Sequence, residues 1–167
     1  MRNAHSADIR MKTGPAVTRE TIAEAPSQPL EVNVVFTDQR ATAVALKSAE
    51  SLARGLGASI RLRAGIVVPV RLPLEHPQVS VPFMEQLLSD LVSRSDSDAF
   101  ERTVHLYVCR NWTETLLQAL RPKSVVVIGA RRCWWPTGTG RLARSLRAKG
   151  HRVVFVDGIA ETTRSLQ

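Results

Sequence analysis

Cysteine is scarce: the 167 residues hold only Cys109 and Cys133, one closing an apolar run and the other just after a second. Together with four scattered histidines they fall short of a metal-ligand set. Without a secretory context they read as reduced thiols rather than a disulfide. A long apolar run is also missing. No stretch reaches the roughly eighteen uncharged apolar residues that a membrane span needs, and the opening MRNAHSADIRMK lacks the apolar core of a secretory signal. The expectation is a cytoplasmic protein with no membrane insertion. Acidic residues are absent between Arg121 and Arg152, whereas Arg121, Lys123, Arg131, Arg132, Arg141, Arg144, Arg147, Lys149 and Arg152 all lie there. That segment carries the excess behind the formal net charge of +8. A block of one sign suits anions, whether nucleotide phosphates, nucleic acid or an acidic partner, or else it is a solvated helix face.

What is present is material for one core, with 44% of residues hydrophobic. Residues 1–29 mix Ala, Ser, Thr and Pro without a sustained period and read as a disordered lead. Residues 30–158 form the expected domain, and 159–167 a tail. Within the domain LEVNVVFTDQR gives a nearly continuous β-branched strand, suited to burial on both faces. ATAVALKSAESLARGLGA follows, with Ala41, Ala45, Ala49, Leu52, Ala53 and Leu56 at helical spacing and a glycine stop. SIRLRAGIVVPV is a second strand. A proline-marked loop then leads to a helix near Phe83–Val92, whose Phe83, Leu87, Leu88 and Leu91 make one face. RTVHLYVCR, WTETLLQALRP, SVVVIGA, GRLARSLRAKG and HRVVFVD continue the alternation. Five apolar strands alternating with four helices predict a doubly wound α/β fold, a Rossmann-like parallel sheet in three α/β/α layers. In such sheets ligands bind beyond the carboxyl ends of the strands, where strand order reverses.

The first strand ends in FTD at 36–38, and the fourth runs VVVIG into a turn that carries GTG at 138–140 before a basic helix. In these features the stretch from about 31 to 157 resembles the universal stress protein domain, a branch of the adenine-nucleotide α-hydrolase-like folds. Members often open on a strand ending Pro-Thr-Asp and follow the fourth strand with GxxG and then Gly-Ser or Gly-Thr. Here Gly129 matches the first glycine, Arg132 stands where the second would, and GTG arrives several residues early. The resemblance implies strand order 3-2-1-4-5 and an ATP site, with Mg2+ accompanying the nucleotide. It implies that Thr37 and Asp38 approach the ribose and that the backbone at Val67 meets the adenine. Ile128 and Gly129 would line the ribose and phosphates. Gly138, Thr139 and Gly140 would present amides and a hydroxyl at a helix start, where the dipole favours an anion. Arg131 and Arg132 would offer guanidinium forks to phosphate. Dimerisation, common in the family, is implied too.

Each feature also has a plain structural reading. Gly129 is an ordinary turn glycine, Asp38 an N-cap, and GTG a helix entry with Thr139 as its cap. Arg141, Arg144 and Arg147 solvate one flank of their helix. Trp134 and Trp135 are adjacent in a turn, so they cannot both enter one core; one stacks on a base, closes over the site, sits in a subunit interface, or folds back on its loop. His76 and His105 have no carboxylate or nucleophile at a telling spacing. Nor is there a catalytic base or carboxylate pair for turnover beyond a weak ATPase. Three functions follow: a nucleotide-binding regulatory domain, a non-nucleotide-binding dimeric module for an unknown protein partner, and nucleic-acid binding through the basic strip. The last has no helix-turn-helix, RNA-stacking sheet or zinc motif behind it.

Overall fold

The computed structural model describes residues 9–13, 30–94, 101–130 and 138–157. Its elements run β1 (Ile9–Thr13), β2 (Glu31–Val35), α1 (Gln39–Leu56), β3 (Ser59–Val67), α2 (Val81–Ser93), β4 (Arg102–Cys109), α3 (Trp112–Ala119), β5 (Val125–Ala130), α4 (Gly138–Ala148) and β6 (Arg152–Asp157). The sheet is parallel throughout, in the order β1-β4-β3-β2-β5-β6. From β4 to β6 this is the expected 3-2-1-4-5 arrangement.

β1 was not expected. It falls in the lead that reads as disordered, yet Ile9–Thr13 pairs in parallel with Val104–Val108 of β4. The five residues IRMKT are too short and too basic to stand out as a strand, and an edge strand needs only one neighbour to be held.

Two cores form, one on each side of the sheet. Even positions of β2 and β3 (Val32, Val34, Ile60, Leu62) pack with α1 and α2, while Val35, Val126 and Ile128 pack with α3 and α4. Helix α1 lies close to the sheet because its inner stripe is small: Ala41, Ala45, Ala49 and Ala53 are all buried. It ends on Gly57 at φ 61°, the left-handed conformation that favours glycine. Two expected inward residues point out. Leu56, in the last turn of α1, is 48% exposed, and Phe83 is 62% exposed because α2 turns Leu88, Leu91 and Val92 to the sheet instead.

The second face carries a buried polar chain across three strands. Arg63 donates from Nε to Asn33 Oδ1 (2.6 Å) and from a terminal nitrogen to the Tyr107 hydroxyl (2.6 Å). Asn33 in turn donates to the Val125 carbonyl (3.4 Å). Burial pushes the Arg63 guanidinium's pKa down, with Tyr107 pulling against it. Its hydrogen bonds are what make so deep a cation tolerable. Above Tyr107 the Trp112 indole lies on Gly65, where an added Cβ would sit 2.6 Å from Cδ2 of the ring. At the other end of the sheet Glu31 is paired with Arg61 (2.6 Å) and Arg121 (3.1 Å).

His151, entering β6, is buried, and its Nδ1 finds no hydrogen-bond partner. Burial pushes its pKa below the ordinary 6.5. The unfolded chain therefore takes up a proton first as pH falls. Stability is expected to decline as pH drops through 6.5 towards the lower folded value. Denaturant titrations across that range check this, and His151→Leu should flatten the slope.

Candidate functional site

The order of strands reverses between β2 and β5, and of the sequence-predicted residues Thr37, Asp38, Ile128 and Gly129 lie at the ends of these two strands. β2 ends at Val35 and α1 begins at Gln39, so Phe36, Thr37 and Asp38 make the turn. Asp38 is an N-cap, its Oδ1 accepting from the Ala41 amide at 2.9 Å, and it is exposed. The Thr37 amide donates to the buried Thr42 hydroxyl (3.1 Å), and the Thr37 hydroxyl donates to the Gly129 carbonyl (2.7 Å). This last bond ties the ends of β2 and β5 together.

Gly129 has a packing reason that the sequence does not disclose. An added Cβ would strike the Ala41 carbonyl oxygen, with the carbonyl carbon 2.5 Å away. The glycine lets the first turn of α1 rest directly on β5. Ile128, beside it, is fully buried against α3 and α4, so its side chain belongs to the core.

Val67 lies one strand over and is 53% exposed. β3 outruns β2: the last bond between them is donated by the Phe36 amide to the Arg63 carbonyl (2.9 Å). Backbone groups alternate sides along a strand. The Val68 amide donates to Cys109 on the β4 side (2.8 Å), so the amide and carbonyl of Val67 face the gap left by β2. Arg110 braces this rim, donating to the carbonyls of Val68 (3.1 Å) and Pro69. Cys109, in register with Val67, is a buried free thiol whose pKa burial pushes up, against the Thr115 hydrogen bond.

The last helix starts earlier than expected. Gly138, Thr139 and Gly140 are its first turn rather than its approach, so Thr139 is not the cap. The amides of a first turn have no acceptor within the helix. A Cβ added at Gly138 would meet nothing within 4 Å. Arg131, Arg132, Trp134 and Trp135 lie outside the described residues. Among the described residues no group of three or more His, Cys, Asp or Glu could hold a metal ion, and no helix is long and apolar enough to cross a membrane.

This arrangement matches solved structures. A universal stress protein from Archaeoglobus fulgidus superposes with a TM-score of 0.52 at 20% identity, over 77% of this chain and 98% of that one. The fold is that of the universal stress proteins. A universal stress protein family member from Burkholderia pseudomallei gives 0.53 at 17% identity, over 79% and 98%. No family model matches the chain, and no curated protein matches it. Almost the whole length of each of these two universal stress proteins is therefore represented here at low identity.

Sequence reasoning missed Arg110, Trp112 with Gly65, and the Asn33–Arg63–Tyr107 chain. The signals were there: Asn33 interrupts VNVV, and Arg61 and Arg63 alternate with apolar residues inside SIRLRAG.

The two site glycines should separate on substitution. Gly129→Ala is expected to cost about 1–3 kcal/mol by overpacking, whereas Gly138→Ala should leave the melting temperature nearly unchanged. Thermal unfolding followed by circular dichroism checks both.

Proposed function

We propose that the protein is a regulatory domain that takes an adenine nucleotide, ATP, at the C-terminal edge of the sheet, with little or no turnover. The observation that carries this reading is the meeting of β2, β5 and β3 at the switch point. There the Thr37–Gly129 bond closes the floor, and the Val67 backbone faces the gap beside it. Doubly wound sheets bind ligands at that position.

The base would hydrogen-bond to the Val67 backbone, and Asp38 would face the ribose. The phosphates would reach the first turn of α4, whose amides at Gly138 and Thr139 have no acceptor within the helix and where the dipole favours negative charge. Arg131 and Arg132 would add charge-assisted contacts to the phosphates, and Mg2+ would enter with the nucleotide, held by its phosphates. Among the described residues no paired carboxylates stand by the site, which fits binding rather than hydrolysis. Occupancy would then bias a partner complex in a cytoplasmic stress response.

A second reading has its own observation. Val67 at the end of β3, Val70 and Val79 in the loop that follows and Phe83 in the first turn of α2 are exposed at 53%, 86%, 40% and 62%. Exposed apolar side chains so close along the chain suit a module that dimerises or docks a protein without nucleotide. Trp134 and Trp135 would then serve an interface rather than a lid. The basic strip makes nucleic acid a third and weaker reading.

Isothermal titration of the full chain with ATP decides between the first two. ATP should bind, and Gly138→Val should weaken it about tenfold by crowding the helix start while leaving the fold intact. No heat at millimolar ATP would overturn the nucleotide reading. A dimer in sedimentation that Phe83→Asp disrupts would then support the second.

A further inference from the structure

The end of β3 is held by a side chain where the ladder runs out. Between β3 and β4 the bonds step regularly, from the Ile60 amide on the Glu101 carbonyl (3.0 Å) to the Val68 amide on the Cys109 carbonyl (2.8 Å). In a parallel ladder the Val68 carbonyl would next accept from the amide of residue 111. Asn111 is instead the N-cap of α3, where the chain leaves the sheet. The Arg110 guanidinium takes over, donating to the Val68 carbonyl (3.1 Å) and to the Pro69 carbonyl. The Pro69 carbonyl also accepts from the Leu72 amide (3.0 Å), so the same guanidinium steadies the turn that follows the strand. We infer that Arg110 is the positioning residue that makes the site select adenine over guanine. This rests on the nucleotide reading above and adds to it the residue on which base choice depends.

The link from Arg110 to the base runs through the backbone of two residues. The Val67 carbonyl and the Val68 amide belong to one peptide plane, so the bond from Val68 to Cys109 sets the direction in which the Val67 carbonyl faces the gap beside β2. The Val68 side chain is buried in the first core, and Arg110 holds its carbonyl. Both peptide planes around Val68 are thereby fixed, although Val67 is the last residue of β3. Without the guanidinium the carbonyls of Val68 and Pro69 would lose this donor, and the strand end would fray back to Val67. By alternation Pro69 comes next on the gap side, and proline has no amide to offer. Past the end of β2, Val67 is therefore the last residue to present both a donor and an acceptor.

One donor and one acceptor tell the two purines apart only if they cannot turn. Adenine N1 would accept from the Val67 amide while its N6 amino group donates to the Val67 carbonyl. Guanine in the same pose sets its N1–H against the amide and its O6 against the carbonyl, donor to donor and acceptor to acceptor. A fixed edge refuses that pairing because its polar groups are left unmatched. An edge able to rotate its peptide planes accommodates both bases.

The test is isothermal titration of the full chain and two variants with ATP and with GTP. The unaltered chain should bind ATP more tightly than GTP. Arg110→Ala should narrow that ratio about tenfold, by weakening ATP and not GTP. Its melting temperature should be nearly unchanged, because Arg110 is exposed and belongs to neither core. Arg110→Lys keeps the charge without the planar guanidinium, so its ratio should fall between the two; it carries the test if the alanine variant does not fold. Loss of charge attraction alone would weaken both nucleotides equally, and that result overturns the inference. So does a ratio that neither variant changes, or equal affinity for ATP and GTP in the unaltered chain. In each of these cases ATP still binds and the nucleotide reading stands. No binding of ATP by the unaltered chain overturns both.

Discussion

The contact between the first turn of α1 and β5 is the constraint on which the rest of the switch point depends. Gly129 has no side chain, so the Ala41 carbonyl can lie where a Cβ would otherwise be. That closeness sets the height of α1 above the sheet, and the alanine stripe from Ala41 to Ala53 continues it along the helix. Once α1 is seated, Asp38 must cap it and Thr37 must sit across from Gly129, because only three residues separate β2 from the helix. The 2.7 Å Thr37–Gly129 bond is then a consequence of packing. The floor of the candidate site and the core of the domain share this contact.

Much of this was legible in the chain. Five strands and four helices follow from apolar runs and helical spacing, and parallel order follows from runs too apolar to face water on either side. Asp38 as a cap was also readable, since Asp ahead of an apolar-periodic segment has a local cause. Non-local causes were not. Nothing near Gly129 in the sequence says that Ala41 will lie against it, and nothing near Gly65 announces Trp112. Phe83 misled because helical spacing gives a stripe but not which stripe meets the sheet; Leu88, Leu91 and Val92 won that competition. The start of α4 moved for a comparable reason, since glycines that look like a loop can also begin a helix.

The buried Asn33–Arg63–Tyr107 chain shows how a cation can be held inside a sheet by hydrogen bonds to neutral side chains. Each member satisfies its neighbour, and the guanidinium's geometry allows two directional bonds at once. Such a chain is sensitive to register. A one-residue slip between β2 and β3 would turn Asn33 and Arg63 to opposite faces, leaving both unsatisfied. The network thus fixes strand alignment on the side of the sheet where apolar packing is thinnest.

The edge strand β1 has a bearing on how the molecule is made. Ile9 leaves the ribosome long before Val104, its partner in the register. Until β4 has been synthesised and paired with β3, the IRMKT segment has nowhere to dock. Pairings between residues so distant along the chain are slow to close. β1 therefore takes its place only once β4 is there to receive it, although it precedes β2 to β6 along the chain.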